Sequence, residues 1–94
     1  MYGIIIDVRV DPNREDEVRK MLDSMIVPRA RTHHGIVAGY WLRALEGDVL
    51  RSVQLYDTET NTLATAERIR SGGPPAGAPV VLASVGIYEV IAQV

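Results

Sequence analysis

Hydrophobic and polar positions along the chain fall into four stretches of strand character and two of helical period. The first, Ile4-Ile5-Ile6-Asp7-Val8-Arg9-Val10, is rich in β-branched residues and alternates toward its end, which predicts a strand with Ile4, Ile6, Val8 and Val10 on a wholly apolar face. Ile5, Asp7 and Arg9 share the other face. Asp11-Pro12 then predicts a helix start, with Asp11 as cap and Pro12 in the first turn, where its missing N–H costs nothing. Glu15, Asp16 and Glu17 suit the positive end of that helix. Val18, Met21, Leu22, Met25 and Ile26 mark one buried stripe. Pro28 predicts an end or kink near Val27, followed by a connecting loop over 29–34.

The pattern resumes at Gly35 with a strand over 36–44, a turn at Glu46-Gly47-Asp48 and a third strand, Val49–Tyr56. If Leu45 opposes Asp48 across this hairpin, Trp41 and Arg43 share a face with Leu50, Ser52, Gln54 and Tyr56, while Tyr40 points the other way, toward the helices. Asp57 or Thr58 caps a second helix with a thin stripe of Leu63, Ala66 and Ile69, ending at Ser71-Gly72-Gly73. The segment 72–79 holds only glycine, proline and alanine and reads as a loop; a plain connection is the simpler reading, a lid the other. A last strand lies within 80–94, with Ile87, Glu89, Ile91 and Gln93 opposite Tyr88, Val90, Ala92 and Val94.

Strand, helix, strand, strand, helix, strand is the ferredoxin-like βαββαβ plan, an α+β fold with a four-stranded antiparallel sheet and both helices on one face. Ile5, Asp7, Arg9, Val37, Gly39, Trp41, Arg43, Ile87, Glu89 and Ile91 are expected on the uncovered face. So apolar a surface predicts an interface, and the partner expected is a second copy, sheet against sheet about a two-fold axis.

Ninety-four residues predict a single domain over 1–94. A chain of this length buries only about 60–65% of its unfolded surface, so pairing would add stability. The formal charge of −2 lacks the basic footprint that nucleic acid requires. With no cysteine, thiolate chemistry and disulfides are excluded. No apolar run is long enough to span a bilayer, and Met1-Tyr2-Gly3-Ile4 lacks a basic leader, so no membrane association and a cytoplasmic location are expected. Phenylalanine is absent, so an aromatic pocket must draw on Trp41 and the tyrosines at 2, 40, 56 and 88.

The order of elements, a proline after the first helix (Pro28), the glycine opening Gly35-Ile36-Val37-Ala38-Gly39-Tyr40-Trp41, the step Leu55-Tyr56-Asp57-Thr58-Glu59 and the last strand Gly86-Ile87-Tyr88-Glu89-Val90-Ile91-Ala92 belong together. In these features the chain resembles the dimeric α+β barrel superfamily, and within it the small antibiotic-biosynthesis-monooxygenase-like proteins. The resemblance implies a dimeric α+β barrel. For function it implies cofactor-free oxygenation of polycyclic phenols or quinones, as in some members, haem breakdown, as in others, or no known activity. The haem-degrading branch has an asparagine in strand one and a histidine on the second helix. Neither occurs here over 4–10 or 58–70, which points away from haem.

His33 and His34 are the candidate catalytic residues, a neutral imidazole being able to take a phenolic proton near neutral pH; the plainer alternative is a pair of solvated loop histidines. Adjacent histidines diverge, so no metal site is expected. Trp41 offers a flat surface and one N–H to a ligand, or else simply packs. Trp41, Tyr56 and Arg43 are the candidate substrate-binding residues. Asp7, Arg9, Arg43 and Glu89 can be acid–base groups in a barrel or, more simply, a salt-bridge network at the dimer interface. No nucleophile–base set or phosphate-cradling loop is present. The reading is a cofactor-free monooxygenase-like protein acting on a small aromatic or quinoid compound, with no metal or cofactor. The alternative is a non-catalytic dimeric barrel that binds a small hydrophobic ligand or serves as an assembly module.

Overall fold

The computed structural model describes residues 1–94. Strands β1 (Tyr2–Val10), β2 (Ile36–Arg43), β3 (Val49–Tyr56) and β4 (Val80–Glu89) form one antiparallel sheet in the order β2-β3-β1-β4. Helices α1 (Glu15–Met21), α2 (Val27–Ala30) and α3 (Glu59–Gly72) complete the ferredoxin-like plan. β1 is flanked by β3 and β4, and its Ile4 is fully buried with Tyr56 and Ala66, with Ile6, Ile36 and Ile87 packed around them.

Asp11 caps the entry to the first helical segment by accepting from the Asn13 amide at 2.9 Å. Pro28 does not end this segment. Between α1 and α2 the chain widens into a π-helical stretch, Leu22–Ile26, closed by the Val27 amide donating to the Leu22 carbonyl. An α-turn would press the Pro28 ring against the carbonyl four residues earlier; the wider turn relieves that contact and lets Pro28 stand in the first turn of α2. Hydrogen bonds from Arg31 to Val27 and from His33 to Ala30 then carry helical turns up to His33, within the connection expected over 29–34.

The hairpin has the register in which Leu45 opposes Asp48: Arg43 faces Leu50, Trp41 faces Ser52 and Gly39 faces Gln54. That register, together with β1 opposite β3, puts Trp41, Arg43 and Gly39 on the helix side of the sheet, not on the uncovered face. Ile87, opposite Ile4, also lies under the helices. Tyr40 is the reverse case, 58% exposed on the outer face with Leu42 and Tyr88. Of the four charges expected to converge, Asp7 instead pairs with Arg51 through two hydrogen bonds of 2.7 and 2.9 Å, and Arg43 pairs with Glu15 across the helix side. The Arg51 guanidinium holds the Asp7 carboxyl below its ordinary range.

Along α3 the buried positions are Thr62, Thr65 and Ala66, whereas Leu63 is exposed. Threonine is tolerated there because the Thr62 hydroxyl donates back to the Thr58 carbonyl at 2.7 Å, so no buried polar group is orphaned. Thr58 caps the helix by accepting from the Asn61 amide. Gly35 ties this helix start to β2: its carbonyl accepts from the Asp57 amide at 2.9 Å, and its φ of 76° is in the left-handed region. A Cβ there would strike the Asp57 and Asn61 side chains. Gly35→Ala is therefore expected to lower stability by more than about 2 kcal/mol in urea denaturation, combining left-handed strain with a steric clash.

Candidate functional site

Helix α3 packs closely on β1, β3 and β4, whereas the first helical segment packs mainly on itself. Its apolar stripe consequently does not close on the sheet. Met21, Leu22, Met25 and Ile26 instead form one wall of a cavity of about 260 Å³, with Ile6 and Val8 among the sheet residues opposite. Trp41 and His33 enter this space, Ser52 and Gln54 give it a buried polar floor, and the Gly73-Pro74-Pro75 loop borders it. The indole of Trp41 lies across its own strand over Gly39, where an added Cβ would come within 3.2 Å of the ring. A second recess of about 220 Å³ lies beside Trp41 toward Pro12, Arg43 and Gly47.

The chemistry of the cavity centres on a chain of hydrogen bonds. Tyr56 is fully buried and its hydroxyl donates to Gln54 Oε1 at 2.7 Å. Its oxygen is then left to accept, so the 3.0 Å contact with His33 Nδ1 requires a proton on Nδ1. That tautomer leaves the Nε2 lone pair unengaged by Tyr56. The two rings are nearly parallel, at 18° with centroids 6.4 Å apart. Burial pushes the Tyr56 phenol up to about 12, which keeps it protonated and makes it a fixed hydrogen-bond relay. Burial also lowers the His33 pKa, and the charges of Arg68 and Arg29 lower it further, so the imidazole is neutral around pH 7.

The sequence candidates are thus distributed unequally. His33 and Trp41 face the same cavity, and Tyr56 stands behind His33. Arg43 borders the second recess, where it is paired with Glu15. His34 is exposed and lines neither space. No three His, Cys, Asp or Glu side chains are grouped as metal ligands. Sequence reasoning passed over Gln54, Arg29 and Arg68. A signal for Gln54 existed: Ser52 and Gln54 alternate with apolar residues on the same side of β3 as Tyr56, so polar groups fall where a closed core would be apolar.

No protein-family model matches the chain, and no curated protein does so by sequence. Solved structures do match. MhuD of Mycobacterium tuberculosis, a heme-degrader with two hemes bound in its active site, aligns over 100% of this chain and 99% of its own with a TM-score of 0.78 at 19% identity. The monooxygenase ActVA-Orf6 of Streptomyces coelicolor, in complex with nanaomycin D, aligns over 99% and 89% with a TM-score of 0.62 at 10% identity. The chain has the antibiotic-biosynthesis-monooxygenase-like fold. A protein of unknown function from Nitrosomonas europaea shares this monooxygenase-like fold, at 16% identity over 98% and 90% of the two chains and a TM-score of 0.67. No helix is long and apolar enough to cross a membrane.

The depressed His33 pKa has a thermodynamic consequence. Its unfolded-state value lies near 6.5 and its folded value below that, so the unfolded chain binds more protons between the two. Stability is expected to fall as pH drops below about 6.5 and to stop falling, for this group, once pH passes under the folded value. Subtracting the urea-derived stability of His33→Gln from that of wild type between pH 8 and 5 isolates this slope; a flat difference would contradict the assignment.

Proposed function

We propose that the protein is a cofactor-free monooxygenase-like enzyme that binds a small aromatic or quinoid compound in the cavity between the first helix and the sheet. The observation that carries this reading is the His33–Tyr56–Gln54 chain, which presents one neutral imidazole to a largely apolar cavity beside a tryptophan. Nε2 takes a proton from a phenol or an activated ring methylene. The resulting anion is electron-rich enough to reduce O2 directly. Oxidation of a methylene to a ketone consumes one O2, places one oxygen atom in the product and the other in water, and so balances with no external reductant. Trp41 supplies the flat apolar wall for the ring system, and Tyr56 holds the imidazole in the reactive tautomer.

Haem suits the cavity poorly. About 260 Å³, without the adjoining recess, is below the roughly 300–1,000 Å³ typical of drug-sized ligand pockets. α3 carries no histidine to ligate an iron. The fold shared with MhuD is not by itself an argument for that protein's ligand here.

His33→Ala is expected to reduce oxygen uptake with a hydroxylated anthrone by about 100-fold or more, the usual contribution of a positioned base. Trp41→Ala should mainly raise KM. Unchanged turnover in both variants would remove these roles from His33 and Trp41. Binding without any oxygen uptake in wild type would leave the alternative, a non-catalytic barrel for a small hydrophobic ligand.

The outer sheet face supports a homodimer. Tyr40, Leu42, Val81 and Tyr88 are each about half exposed or more there, in a chain that buries only 12 of 94 residues. A face with these exposed apolar side chains around the Asp7–Arg51 pair fits a second copy stacked sheet to sheet, which would complete the dimeric α+β barrel. Placing a charge in such an interface weakens it strongly. Tyr40→Glu is expected to shift the sedimentation coefficient from dimer to monomer at micromolar concentration; a wild type that sediments as a monomer would refute the pairing.

A further inference from the structure

Two cations at the cavity have no counter-ion. Arg29 on α2 and Arg68 on α3 approach from opposite helices, and both line the cavity with their residues still exposed, which puts them at its mouth. The three ion pairs of the protein are Arg14 with Glu17, Arg43 with Glu15 and Arg51 with Asp7; neither mouth arginine takes part. No aspartate or glutamate lines the cavity. Arg68 is nevertheless held in place, since one guanidinium nitrogen donates to the buried Thr65 hydroxyl at 3.2 Å. Both charges are felt at His33, where they oppose protonation. The chain carries a net charge of −2, so this local positive field runs against the molecule as a whole. Apolar walls concentrate such a field on whatever enters.

We propose that Arg29 and Arg68 form an anion subsite at the cavity mouth and that the ligand is an aromatic carboxylic acid, its rings lying against Trp41 and its carboxylate held by the two guanidiniums. This rests on the cavity being a site for aromatic compounds and goes further in naming their class. Guanidinium and carboxylate match in geometry as well as charge, and such bonds are stronger than neutral ones. The arrangement also orients the ligand, because a carboxylate fixed at the mouth sends the rings inward past His33.

The single tryptophan provides the readout. Quenching of Trp41 fluorescence is to be titrated with anthraquinone-2-carboxylate and with anthraquinone-2-carboxamide, a neutral ligand of nearly the same shape. Wild type is expected to bind the carboxylate at least about tenfold more tightly, the equivalent of one charge-assisted hydrogen bond. Arg29→Gln and Arg68→Gln should each reduce this preference. Together they should abolish it while leaving amide affinity within about twofold, and Arg68→Lys should restore part of it. Both side chains are exposed, so circular dichroism and melting should change little. Equal affinity for the two ligands in wild type would overturn the subsite and leave the aromatic cavity standing, as would a preference that survives the double substitution. Failure of both ligands to quench Trp41 would overturn the cavity reading and the subsite with it.

Discussion

The buried hydroxyl of Tyr56 is the group on which the interior depends. It has no access to water, so both its donor and its acceptor capacity must be met inside the protein. Gln54 meets the first from the same strand, and His33 meets the second from the end of the first helical segment. The last strand residue before α3 is thereby tied to the far side of the cavity. The same two bonds satisfy a buried polar pair, choose the imidazole tautomer and span the gap between sheet and helix.

That gap is the structural decision that separates this chain from a closed α+β sandwich. α3 lies close on the sheet because its contact face is made of small residues, Thr62, Thr65 and Ala66. The first helical segment presents methionine, leucine and isoleucine, which meet the cavity before they meet the strands. Its apolar side chains are therefore half-buried, a condition that favours a ligand able to complete their desolvation. On the opposite face of the sheet, the bidentate Asp7–Arg51 pair sits among apolar residues.

Most of the fold was legible in the pattern of residues. The four strands, the Asp11 cap and the helix stop near Gly72 follow from alternation, capping chemistry and turn residues, which are local signals, whereas the hairpin register and the choice between Asp57 and Thr58 as cap were left open by the sequence. Facing was less legible. Trp41 and Tyr40 are adjacent and both aromatic, so hydrophobicity alone could not decide which of them pointed at the helices; only pairing with Ser52 and Val53 does so. Of the two effects expected of Pro28, an end or a kink, the helix does not end, because a π-turn just before the proline removes the clash that would stop an α-turn. For the site, His33 and Trp41 stood out by rarity, whereas Arg29 and Arg68 resembled any solvated helix charge until the cavity placed them together.

The π-helical stretch has one more implication. Each residue of an α-helix advances the chain by about 100° around the axis, so the extra residue accommodated between Leu22 and Ile26 changes the angular phase of all that follows. Arg29, Ala30 and His33 come round to the cavity in that altered phase. The wide turn works like a clocking pin in a shaft: by holding one surplus residue, it sets the rotation at which the imidazole and a guanidinium arrive, and a chain lacking that residue would carry the same side chains aimed elsewhere.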